Sequence, residues 1–170
     1  MPEKDIPTPY NYKIDELDNT TYLFETNKLI GYAIKFKPTG YIFEEYIWAV
    51  YCYEYVIEVK YNPTEIPPPF DASFSLTIAT IFNDFFRDKE KVVTYICNTA
   101  DGKELARFRK FNIWFNKFNT NFFLKIDKSF YDSRHNTTYY NSLIIRQDNP
   151  FKIEIIEAFE DLIGGFDEDK

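Results

Sequence analysis

The 170 residues contain one histidine, His135, and two cysteines, Cys52 and Cys97. Metal centres of the zinc or transition-metal type need several such side chains converging, so no metal and no cofactor is expected. Glycine is nearly as scarce, at five residues, and no glycine-rich segment joins a strand to a helix. A phosphate-cradling loop is therefore not predicted. No apolar run approaches the roughly 18 residues of a membrane span, and MPEKDIPTPY lacks a basic region followed by an apolar stretch. No signal peptide and no membrane partner is expected, and the chain is placed in the cytoplasm. The sequons at Asn19 and Asn136 are then coincidental. The 27 acids scatter without an identifiable carboxylate pair, so no catalytic residue is assigned. Cys97 and His135 could in principle serve as nucleophile and base; a core thiol and a solvated loop histidine are the simpler reading.

What the chain has in abundance is aromatics. They make up 20% of it, with 18 Phe and 14 Tyr. Such residues favour pleated, half-buried surfaces and point to a large β content. Hydrophobic residues at 45% and charged residues at 28% describe an ordinary globular composition. The formal net charge of −7 repels polyanions, so a nucleic-acid partner requires a local basic patch.

Residues 1–9, with three prolines, read as a flexible tail, 10–164 as a single domain, and 165–170 as an acidic tail. Four strands are predicted first: Asn11 to Leu17, Thr21 to Thr26, Ile30 to Lys37, and a long apolar-aromatic one from Tyr46 to Tyr61. The four prolines between Asn62 and Phe70, including Pro67-Pro68-Pro69, read as a stiff connector. A polyproline ligand is the functional alternative. A helix follows from Ala72 to Arg87, capped by Asp71 or Ser73, with Phe74, Ile78, Ile81, Phe82 and Phe85 on one stripe and Thr77 on the wet side. Val92 to Cys97 is a strand. Asp101 and Glu104 have the spacing of a capping box, opening a second helix from Lys103 to Phe118. Phe122 to Ile126 and Tyr139 to Arg146 are strands around a polar loop, Tyr131 to Thr138. Asn149-Pro150 starts a last helix, ended by Gly164-Gly165. The order ββββαβαββα predicts an α+β domain with a mixed, mostly antiparallel sheet and helices on one face.

The helix from Lys103 to Phe118 is the one place where the charge pattern resolves. Lys103, Arg107, Arg109, Lys110 and Lys117 face a single acid, Glu104, giving +4 in an acidic protein. At 100° per residue Phe108, Phe111, Phe115 and Phe118 share a face with Trp114 at its edge. Arg107 falls inside that aromatic arc and needs a carboxylate, carbonyls or a ring face. Arg107, Arg109, Lys110, Trp114 and Lys117 are thus the candidate ligand-binding residues. The last twenty residues carry the opposite sign, with seven acids against two lysines.

The segments IATIFNDFF, VTYICNTADGKELARFRKFNIWF and YYNSLIIRQDNP resemble a bacterial family of unknown function, numbered 6169. Tyr95-Ile96-Cys97, Asp101, Lys103, Arg107 and Trp114-Phe115 carry the resemblance, which extends from about Tyr10 to Ile163. It implies the same element order and brings no activity. The family type alone implies a bacterial accessory system, of the defence or toxin–antitoxin kind. The expectation is a non-enzymatic module that binds another protein or itself through the basic aromatic helix. The alternative is a nucleic-acid-binding or nucleic-acid-processing protein using the same helix.

Overall fold

The computed structural model describes residues 6–67, 71–97 and 100–168, with side chains as far as 165. Pro68 and Pro69 of the expected polyproline segment, the last two residues of the acidic tail and the first five residues lie outside it. The elements are β1 (Tyr12–Ile14), β2 (Thr21–Glu25), β3 (Gly31–Pro38), β4 (Cys52–Tyr61), α1 (Ala72–Phe85), β5 (Val92–Ile96), α2 (Glu104–Phe118), β6 (Phe123–Asp132), β7 (Thr137–Arg146) and α3 (Lys152–Glu168). The strands form one seven-stranded sheet in the order β1-β2-β3-β4-β5-β7-β6. Only β4 and β5 run parallel among the registered pairs. The expected class and order are those observed. By contacts the chain divides into two compact units, Met1–Phe36 with Val56–Arg87, and Lys37–Tyr55 with Asp88–Lys170.

In the first unit α1 lies on aromatic residues from β2 and β3. Asp71 caps it, accepting from the Phe74 amide at 2.7 Å, as its residue type predicts. Phe74 meets Tyr32 at 4.8 Å between ring centroids, and Phe85 stacks on Phe36 at 3.6 Å. Thr77 is fully buried rather than wet, because its hydroxyl accepts from the Tyr10 amide at 2.7 Å and donates to the Ser73 carbonyl. The first strand is shorter than predicted: Asp15 to Thr20 form a turn held by the Asp18 side chain.

In the second unit the expected strand from Tyr46 is broken. Gly40–Phe43 and Ile47–Tyr51 are 3-10 turns, and β4 begins only at Cys52. Strand alternation would keep one face of the run buried. Instead Trp48 and Ala49 turn into the core together, while Ile47 and Val50 are 78% and 73% exposed. Gly40 admits the crossing of the two turns, since a Cβ there would stand 2.5 Å from the Ala49 carbonyl oxygen.

The expected polar loop from Tyr131 to Thr138 is half strand, and only residues 133–136 form the turn. β6 and β7 pair over ten residues, Phe123↔Arg146 to Asp132↔Thr137. Asp132 accepts from the Arg134 amide at 2.9 Å, and Asn136 takes φ 50, so a tight turn suffices.

The register also fixes the layering. Val92, Ile145 and Leu124 share one face, and Val93, Ile144 and Lys125 the other. α3 covers the first face, with Ile155, Ala158, Phe159 and Ile163 packed around Cys52, Val92, Leu143 and Ile145. α2 covers the second, with Phe111 against Tyr55 and Tyr95 and Phe108 stacked on Tyr140. These two helices therefore sandwich the strands rather than sharing one face. α3 runs on through Gly164 and Gly165 to Glu168, and Asn149 receives the Phe151 amide at its start.

A candidate binding surface on the second helix

The chain enters α2 through a turn that Gly102 makes at φ 67. Lys103 occupies the N-cap without a side-chain hydrogen bond, so the predicted capping box does not form. Asp101 is engaged elsewhere. Its carboxylate accepts the Lys103 amide at 3.2 Å and grips Arg107 with both oxygens, Nη1 at 2.7 Å from Oδ1 and Nη2 on Oδ2. The guanidinium holds the Asp101 carboxyl down to about 2, and the carboxylate raises Arg107 in turn. Arg107 thus ties the helix to its own leading turn, and its positive charge also reaches Tyr95 and Cys97.

Beneath the helix lies a residue that sequence reasoning missed. Lys125 on β6 has a side chain only 5% exposed. Its ammonium stands 5.4, 5.9 and 5.8 Å from the ring centroids of Phe108, Phe111 and Phe115. It donates to Asn112 and Asp127, and Asp127 accepts from the buried Ser142 hydroxyl at 2.7 Å. Burial draws the ammonium below the ordinary lysine range despite Asp127. The aromatic face of α2 is therefore occupied by the protein's own cation.

The outward side of α2 is different. Leu105, Arg109, Ile113 and Lys117 recur every fourth residue as one exposed strip, with Leu105 at 37% and Ile113 at 66% exposure. Next to it the Lys110 ammonium sits 5.4 Å from the centre of the half-buried Trp114 ring, and Lys117 sits 5.3 Å from that of Phe118. Partial desolvation draws Lys110 below the ordinary lysine value. Four of the candidate residues, Arg109, Lys110, Trp114 and Lys117, thus meet on or beside one surface, and Arg107 does not join them.

Cys97 and His135 are not brought together. Cys97 is 1% exposed, bonds Tyr140 through its amide, and has its thiol pushed up mainly by burial. His135 lies between β6 and β7 in the hairpin turn, its Nδ1 2.6 Å from Asp132. Among the described residues no group of three or more His, Cys, Asp or Glu is arranged to hold a metal, and no helix is long and apolar enough to cross a membrane.

Neither curated proteins nor solved structures give a match. A family model does, over residues 71–161, from the cap of α1 through the first half of α3. The match covers α2, Asp101, Arg107, Trp114 and the Lys125 cluster, and leaves out β1 to β4. Spanning more than half the chain, it shows that the chain belongs to DUF6169, a family of unknown function.

Proposed function

We propose that the chain is a non-enzymatic module that binds another protein through the outward face of α2. The observation that carries this reading is the exposed strip Leu105, Arg109, Ile113 and Lys117, with Lys110 and Trp114 beside it. Leu105 and Ile113 alternate with Arg109 and Lys117 along the strip, and this pairing fits an acidic surface with apolar positions at helical spacing. Trp and Arg, here Trp114 and Arg109, are among the residue types that carry most of the binding energy at protein interfaces. The helix is also rigidly seated, by Lys125 below and Asp101 in front, which limits the entropy lost on binding.

Two buried free thiols support a reducing, cytoplasmic setting. The family type alone supports a bacterial accessory system, of the defence or toxin–antitoxin kind. Nucleic acid is the less favoured partner, because Arg107 is committed to Asp101 and the net charge is −7.

The test uses the immobilised full chain as bait, beside an Arg109→Glu/Ile113→Glu variant of unchanged thermal stability. Proteins retained by the wild type and lost by the variant support the reading. Identical capture by both contradicts it. Salt-dependent retention of the wild type on heparin that the variant loses transfers the surface to nucleic acid.

A further inference from the structure

β6 is one edge of the sheet and is ten residues long, whereas β1 at the other edge has three. Long open edges invite pairing, and folded proteins normally shorten, bulge, charge or cover them. β6 contains no proline and pairs with β7 residue for residue, without a bulge.

The direction of its backbone groups follows from three contacts. The Gln147 amide donates to the Phe122 carbonyl at 2.9 Å, so even-numbered β6 residues bond to β7. Phe123 points the other way, and the Asn119 side chain satisfies both its carbonyl and its amide, at 3.1 and 3.3 Å. The Cys97 amide bonding to the Tyr140 carbonyl puts even-numbered β7 residues on β5, in agreement. The backbone groups of Lys125, Asp127, Ser129 and Tyr131 therefore point outward along the edge. Asp127, Ser129 and Tyr131 are exposed residues. Asn119 blocks this edge at its first position.

The charges on the strand do not guard it. An inward-facing lysine protects an edge when it depends on solvent through that edge. Lys125 instead ends on Asn112 and Asp127 under α2. Lys128, on the opposite face, pairs with Glu160 of α3 at 3.3 Å.

We infer that β6 pairs antiparallel with β6 of a second copy about a two-fold axis at Lys128, joining two sheets into one. The outward positions are symmetric about that residue. Asp127 then faces Ser129′ and Lys125 faces Tyr131′ as hydrogen-bonded pairs, while Ile126 packs on Phe130′. Lys128 meets Lys128′, and Glu160 on each side neutralises the repulsion. A dyad normal to the sheet keeps both α2 helices on the same side, so the dimer would present the proposed binding strip twice.

Sedimentation equilibrium of the full chain up to about 0.5 mM tests this, a range that reaches submillimolar dissociation constants. The expected result is a reversible monomer–dimer equilibrium in the wild type. Ser129→Pro removes an outward amide without touching the β7 ladder, and should weaken association at least about tenfold with an unchanged circular dichroism spectrum. Glu160→Gln, remote from the edge backbone, should also weaken it, and Lys128→Thr should tighten it. A wild type that stays monomeric throughout overturns the inference, as does a dimer that none of the three variants alters. Arg109→Glu/Ile113→Glu should leave the dimer intact, so this inference and the α2 reading fail separately.

Discussion

Asp101 holds Arg107 with both carboxylate oxygens, and this fork decides what the basic helix can offer a partner. A charge that the helical pattern places among aromatics is spent on the helix's own leading turn. The cations left outward are Lys103 at the N-cap and Arg109, Lys110 and Lys117 along the helix.

The pair makes a pH-dependent contribution of definite sign. Asp101 titrates at about 2 in the folded chain and at about 3.9 when unfolded. A depressed carboxyl stabilises the fold above its unfolded value, and the contribution fades as pH falls through the folded one. The melting-temperature advantage of the wild type over Asp101→Asn should be constant above about pH 5 and shrink between about pH 4 and 2. Being exposed, the pair should also weaken with added salt. Equal slopes for the two proteins in acid would show that the fork is not formed in solution.

Lys125 carries a larger share of stability. Lys125→Ala hollows the space under three rings and leaves Asn112 and Asp127 without their common donor, an expected loss of about 3 kcal/mol in urea unfolding. Lys125→Met keeps the stem and should cost about 1 kcal/mol or less. The lowered folded value means that the folded state binds fewer protons on approaching pH 10. The wild type should therefore gain on Lys125→Met as pH rises from about 7 toward 10. Equal losses for the two substitutions would place the ammonium outside the ring cage.

Tyrosine ionisation should come in two classes. Burial raises Tyr55, Tyr95 and Tyr22. Raised phenols stabilise the fold below their unfolded value of about 10 and withdraw that support as pH climbs past it. Absorbance at about 295 nm should show a first rise near pH 10 and a second one coincident with loss of the circular dichroism signal. A single step for all 14 tyrosines, with structure intact, would contradict the aromatic packing.

The element order was legible because burial repeats at the period of each element. Phe74, Ile78, Ile81 and Phe85 mark α1, and the β-branched run at Val92 marks β5. Trp48 was not legible: a large apolar residue in an apolar run reads as strand until two crossing turns bury it. Nor was the fate of Asp101, since capping and ion pairing compete for one carboxylate and only geometry decides. Lys125 gave no signal, because a lysine alternating with Leu124 and Ile126 reads as the wet face until α2 lands on it. The sandwich of α2 and α3 depends on sheet register, which a single strand's pattern does not contain. Helical spacing placed Arg109, Lys110, Trp114 and Lys117 on or beside one side of α2; that Arg107 turns back to Asp101 in the leading turn was not readable.

Hydrogen exchange on the full chain, free and bound to a protein captured by the α2 bait, tests the central claim most directly. Protection that appears across residues 104–118 and is lost in Arg109→Glu/Ile113→Glu is the expected result. Protection elsewhere, for instance over residues 72–85, with 104–118 unchanged, would contradict it.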